Sequence, residues 1–143
     1  MNTGLLHLHG LLRWVILILL LVTLYQSFVK NEKIKSTSLW LMIVSHVMLL
    51  IGIYQSLLGR FGWTNLPEGV SVMKDSIYRF YLVEHPTLMI ASIVLITLAR
   101  GKSKSLNYSA VNKLLLIALV LILLAVPWPF REAGIGRPWF PGM

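Results

Sequence analysis

Four histidines, one carboxylate and one arginine stand in this chain where apolar sequence surrounds them. His7, His9 and Arg13 fall in the stretch 5–29, His46 in 38–58, and Glu84 with His85 in 78–99. Ionisable side chains inside lipid-length stretches are costly to keep and therefore mark function. A neutral imidazole offers a lone pair to a metal from one ring nitrogen and an N–H to a second group from the other. The chain has no cysteine, which excludes thiolate metal sites, cysteine-held clusters and haem attached through thioethers. It also lacks a Gly-x-Ser-x-Gly elbow, a phosphate-cradling glycine loop and a His-Glu-x-x-His pair. Whatever chemistry it performs rests on imidazole, one carboxylate and arginine.

Spacing sorts these residues. His46 lies near the middle of its stretch and shares a helical face with Leu50, Ile53 and Leu57. An imidazole at that depth either bonds a hydroxyl on another helix or ligates a cofactor, and both readings stand. Glu84 and His85 are adjacent, so on a helix they point about 100° apart and only one can face squarely inward. The carboxylate then either orients a ligating histidine or pairs with Arg13 or Arg79. Pro86 removes the donor for the carbonyl of Leu82 one turn earlier. His7 and His9 diverge by about 200°, whereas His9 and Arg13 are four apart and share a face. That predicts His9 and Arg13 as the inward pair and His7 as an interfacial residue.

These residues must be positioned by helices. Of 143 residues, 57% are hydrophobic and 13% charged, with a mean hydropathy of +0.76. A soluble domain carries roughly 25% charged residues, so half the usual solvated surface is missing. Crossing the hydrocarbon takes roughly 20 apolar residues, and four such spans are predicted, at about 5–29, 38–58, 78–99 and 109–130. The first lacks a basic N-terminal flank and a small-residue cleavage site, which predicts a retained helix rather than a signal peptide. Short links make consecutive helices antiparallel, so the predicted fold is all-α: an integral membrane, up-down four-helix bundle forming a single domain. Ser45, Gly52, Ser56 and Gly59 make a small-residue face on the second span that invites close approach of a neighbour. Ser71 is the predicted N-cap of an early start to the third helix, with Asp75 and Arg79 paired at i,i+4.

The formal charge of +8 points to anionic lipid rather than nucleic acid in a chain of this hydropathy. Lys30, Lys33 and Lys35 crowd one link and Arg100, Lys102 and Lys104 another. This density predicts those links on the cytoplasmic side, and both termini with the 59–77 loop outside.

Read as segments, Gly4-Leu5-Leu6-His7-Leu8-His9, Leu12-Arg13-Trp14, Ser45-His46, Arg79-Phe80, Glu84-His85 and Pro127-Trp128-Pro129-Phe130-Arg131-Glu132 together resemble small bacterial four-helix membrane proteins commonly called cytochrome b. The resemblance covers essentially the whole chain. It implies a bacterial inner-membrane protein with histidine-ligated haem b, acting in electron transfer in or beside a respiratory chain, with quinone or other respiratory subunits as partners. By position, the histidine-bearing motifs fall on His9, His46 and His85, with Glu84 as neighbour.

Small bundles hold such haem between two inward histidines at matching depth, with apolar walls and cations for the propionates. Arg13, Arg60, Arg79 and Arg131 lie toward one surface to serve as those cations. Counted from the outer helix ends, His9 lies about 6 Å deep, His85 about 10 Å and His46 about 18 Å. The axial pair stays open among the three. Two other functions fit the same residues. One is a non-haem metal or quinone site built from His46, Glu84 and His85. The other is a cofactor-free structural or assembly subunit of a larger membrane complex. An electron carrier or accessory subunit is favoured over a stand-alone enzyme.

Overall fold

A computed structural model of the chain describes residues 3–132 and 134–139. Among them are four long helices and no strand: α1 (Thr3–Val29), α2 (Ile34–Leu58), α3 (Ser76–Lys104) and α4 (Tyr108–Ala125). All four are long and apolar enough to cross a membrane. α1 packs on α2, α2 on α3, α3 on α4 and α4 back on α1, closing a ring. Cross-contacts fix the direction of each helix. Ser27, Ser38, Ser103 and Asn112 meet at one end, while His9, Gly52, His85 and Ala125 meet at the other. Neighbours are therefore antiparallel.

The burial pattern reverses that of a soluble bundle. Large aliphatics point outward, Leu50 at 69% exposure and Ile18 at 60%, whereas Ser45, Ser92 and Ser103 are fully buried. Small hydroxyls let helix backbones approach, and each satisfies itself on its own helix. Ser45 donates to the Leu41 carbonyl at 2.7 Å, Ser92 to Leu88 at 2.8 Å and Thr97 to Ile93 at 2.7 Å. Around this seam, Leu20, Leu41, Ile96, Val111, Leu115 and Ala118 form the close-packed core.

Helix ends follow local chemistry, with three departures from expectation. α3 starts at Ser76, not at Ser71, and its N-cap is Asp75, whose carboxylate accepts from the Ile77 and Tyr78 amides at 2.9 and 3.2 Å. Asp75 is thus engaged in capping, and Arg79 pairs with Glu84 instead at 2.9 Å. A capping carboxylate satisfies two otherwise orphaned amides, which an exposed pair one turn on does not. α4 ends at Ala125 rather than near 130, because Pro127 and Pro129 supply no amides to continue it. Finally, α3 widens to a π-helical turn over Phe80–Glu84, with the His85 amide bonded back to the Phe80 carbonyl, immediately before Pro86. Such single-turn bulges recur at functional positions because they re-aim side chains.

Beyond α4 the chain folds back over the bundle end. The Arg137 amide donates to the Pro127 carbonyl at 2.9 Å, and Tyr81 bonds the Ile135 carbonyl. Gly134, at φ 91°, brings this segment against α3, where an added Cβ would lie 2.6 Å from Ile77 Cδ1.

Candidate functional site

Under this returning segment lies a cavity of about 460 Å³, walled by all four helices. Ligand sites commonly run from about 300 to 1,000 Å³. α1 contributes His9 and Arg13, α2 contributes Gly52 and Gln55, and α3 contributes Tyr81 and His85. The remaining wall is mainly aliphatic and thioether, with Ile16, Met48, Leu82, Met89, Ile122 and Val126.

His85 is held with a defined tautomer. Its Nδ1 lies 2.7 Å from the Ala125 carbonyl. A carbonyl can only accept, so Nδ1 carries the proton and Nε2 is left as the bare acceptor. The acceptor is free for this role because the residue four positions on is Pro129, which has no amide to return to Ala125. Two prolines thus serve the site: Pro86 follows the π-helical turn that sets the ring's direction, and Pro129 frees the carbonyl that orients it.

His9 faces His85 across the helix junction, ring centroids 6.1 Å apart and planes at 50°. Gly52 gives His9 its room: a Cβ built there would sit 3.9 Å from Nε2, an ordinary contact, whereas any larger side chain would enter the cavity. The stripe Gly52, Ser56, Gly59 therefore lines a space at this end rather than closing a helix contact. Arg13, one turn below His9, is only 9% exposed. Its Nη2 donates to the Trp139 and Pro138 carbonyls at 2.6 and 3.3 Å, and its guanidinium lies 5.1 Å from the Trp14 ring. Overhead, Phe61 stacks on Tyr81 at 4.8 Å, with the Arg137 guanidinium 4.9 Å from the Tyr81 ring.

The sequence-predicted residues divide accordingly. His9, Arg13 and His85 line one cavity, and His7 stands at its edge, exposed. His46 does not join them. It is exposed on the outside of α2, its Nδ1 bonded within its own helix to the Met42 carbonyl at 2.8 Å, beside a shallow apolar groove against α3. Glu84 is likewise outside, exposed and paired with Arg79, so it does not orient His85. His46, Glu84 and His85 thus stand on separate surfaces. Among the described residues no three His, Cys, Asp or Glu side chains converge. Of the cations expected near this end, Arg13 and Arg60 line the cavity. Arg79 is engaged by Glu84, and Arg131 lies over Phe80 at 5.0 Å with a bond to the Leu124 carbonyl.

Sequence reading missed Gln55, Tyr81 and Arg137. Gln55 carried a signal, an amide inside an apolar span three residues from Gly52; Arg137 carried none, because its place depends on the chain's return. Compared with family models, with curated proteins and with solved structures, the chain matches none.

Proposed function

We propose that this chain is a multi-pass protein of the bacterial inner membrane that holds haem b between His9 and His85 and passes electrons in or beside a respiratory chain. The apolar outer surface and polar seam support membrane residence, since lipid rather than packing satisfies the exposed aliphatics. The observation that carries the haem reading is His85. Its Nδ1–H is committed to a backbone carbonyl, leaving Nε2 bare on a ring that lines the cavity beside a second imidazole. That is the arrangement by which proteins fix a metal-ligating histidine. The ring centroids of His9 and His85 lie 6.1 Å apart, so both imidazoles are close enough that they would reach one metal ion.

In this reading His85 and His9 supply the ligand nitrogens, the aliphatic wall excludes water, and the Phe61–Tyr81 stack with the returning segment covers the cavity. Haem, when bound, would supply reversible one-electron chemistry whose potential the burial and the imidazoles of His9 and His85 would tune. With His9 and His85 both committed to the haem, the reading favours a carrier or accessory subunit over a stand-alone enzyme. Partners are then a quinol or a neighbouring respiratory subunit. One absorption spectrum of the purified chain, oxidised and then dithionite-reduced, tests this: a Soret band that sharpens and shifts on reduction is expected, and a colourless protein reconstituted without spectral change would remove the reading.

Orientation follows the lysines. The Lys30–Lys35 and Arg100–Lys104 links face the cytoplasm, and the cavity end and both termini face outward. A cysteine at exposed Ser71 should react with an impermeant thiol reagent on intact cells and one at exposed Ser105 should not; the opposite result inverts the topology.

A second reading has its own support. His46 presents an imidazole on the outer face near the middle of α2, where lipid offers no hydrogen bond. A neighbouring helix carrying a donor would complete it, as expected of a subunit in a larger complex.

A further inference from the structure

The outward imidazole of His46 is a hydrogen-bond acceptor at a level of the bundle where no donor stands. Its Nδ1 lies 2.8 Å from the Met42 carbonyl. A carbonyl only accepts, so Nδ1 carries the proton and Nε2 is bare. No described residue donates to that nitrogen. The ring borders a groove of about 280 Å³ between α2 and α3, with Leu49, Ile90, Ile93, Val94 and Thr97. The Thr97 hydroxyl already donates to the Ile93 carbonyl at 2.7 Å, so it too is left only to accept. The groove is thus apolar, and its lone pairs are partial negative charges that hydrocarbon cannot satisfy.

Depth decides what can supply the missing hydrogen. At about 1.5 Å per residue, His46 stands about 12 Å from the level at which Ser38, Ser103, Ser27 and Asn112 meet. The outward residues at that height are Ile18 and Leu21 on α1, Val94 and Leu98 on α3, and Ile117 and Val120 on α4, all aliphatic. The four helices are described throughout. Trp40 and Tyr25, the nearest outward donors, lie about 9 Å away along the bundle. Copies inserted in one orientation meet level with level, so a second copy brings no donor to His46. Water and headgroup hydroxyls stay at the interface, more than about 10 Å off.

We infer that the groove between α2 and α3 docks a transmembrane helix of a different protein, and that a Ser, Thr, Asn, Gln, Tyr or Trp side chain of that helix donates to His46 Nε2 at mid-span. A side chain on a spanning helix is held at a fixed depth, which is what an acceptor at this level requires, and hydrogen bonds of this kind join helices in membranes. The docking rests on the chain being a subunit of a larger complex; it adds that the complex is heteromeric and that this face carries the contact.

Photocrosslinking of the full chain in its native membrane tests this. Leu50→benzoylphenylalanine places a photoreactive ring about one turn from His46, at an exposed position beside the groove. Irradiation should join the chain to a different protein, at a residue within about one turn of a donor side chain on a spanning segment. His46→Leu should lower that yield at least threefold, the effect of one average interhelical bond, with helicity unchanged because the residue is exposed. An adduct between two copies of this chain overturns the inference. So do adducts to lipid or a small lipophile alone, a partner segment with no donor at the contact, and a yield that His46→Leu leaves unchanged. The same probe as Ile18→benzoylphenylalanine and Val120→benzoylphenylalanine reports on the α1 and α4 faces. Adducts to other chains from those positions and none from Leu50 would keep the complex and remove this docking face, and no protein adduct from any of the three would remove both.

Discussion

The two ends of this bundle are built from the same four helices, yet one is sealed and the other hollow. At the sealed end small polar groups meet directly: Ser38 and Ser103 hydroxyls lie 2.6 Å apart, Asn112 donates to Ser27 at 3.1 Å, and Gln26 and Arg100 are packed beside them, Arg100 reaching Ser103 at 3.4 Å. At the hollow end the polar groups include imidazoles, three guanidiniums and a phenol, too large to interdigitate, and Gly52 keeps the facing wall bare. The helices also stop differently. The sealed end has short links, whereas the hollow end has the 59–75 loop and a proline-broken tail that can arch over a space. In this bundle, helices touch where serine meets serine and stand apart where ring-bearing side chains face a glycine.

The strongest way to break this contrast is to remove the histidine that the hollow end is organised around. His85→Ala should abolish the haem Soret band in purified protein, while His46→Ala, on the outer face, should leave it unchanged. Conversely, if a larger complex exists, His46→Ala should release the chain from it and His85→Ala should not. A spectrum that survives His85→Ala but not His46→Ala would reverse the assignment of the two faces.

Gly52 sharpens the comparison by separating space from fold. Gly52→Leu should fill the wall beside His9 and lower haem occupancy at least tenfold, because the added branch enters the cavity rather than the core. Gly52→Ala, whose Cβ makes only an ordinary contact 3.9 Å from His9, should retain binding. Helicity and detergent stability should be unaffected in both, measured by circular dichroism and thermal unfolding. Equal loss in both variants would mean that the position serves helix packing instead.

These two predictions also mark how far the sequence could be read. That there are four helices, and roughly where they run, follows from apolar stretches of spanning length, because unsatisfied backbone cannot lie in lipid. His9 and Arg13 lie on one face by their spacing alone. His46 shows the limit. Its position along α2 fixes its depth; the one sign of its direction is the small-residue stripe of Ser45, Gly52, Ser56 and Gly59, which turns inward and lies about 100° around the helix from His46, so the imidazole faces outward. Glu84 was ambiguous for a related reason: adjacency to His85 guarantees divergence but not which of the two turns inward, and the π-helical turn settles that against the carboxylate. Arg137 enters the site through the return of the tail, a tertiary event with no periodic signature, whereas Tyr81 is brought in by α3, four residues before His85.

At the sealed end the corresponding intrusion should cost stability and leave the ligand alone. Ser103→Leu places a branched side chain where the seam is fully closed, at a residue 0% exposed. Overpacking of this kind costs about 1–3 kcal/mol. Unfolding in graded denaturing detergent should shift accordingly, with the haem spectrum of the remaining folded protein unchanged. A stability loss at Gly52→Leu as large as at Ser103→Leu would erase the distinction between the ends.

The smallest effect separates hydrogen bonding from size as the cause of the seal. Ser38 and Ser103 bond one another, yet each hydroxyl also reaches a carbonyl of its own helix, Lys35 at 3.2 Å and Arg100 at 2.7 Å. Ser38→Ala therefore deletes one cross-helix bond and strands no partner, since Ser103 keeps Arg100. Interhelical bonds of this type average about 0.6 kcal/mol, so the shift should be barely measurable, and Ser38→Ala with Ser103→Ala should cost less than the sum of the two by about that amount, since both delete the same bond. Alanine preserves the small volume that lets α2 and α3 touch. A loss above about 2 kcal/mol for the single substitution, beyond the largest such bonds measured, would mean that polarity and not volume holds this end shut.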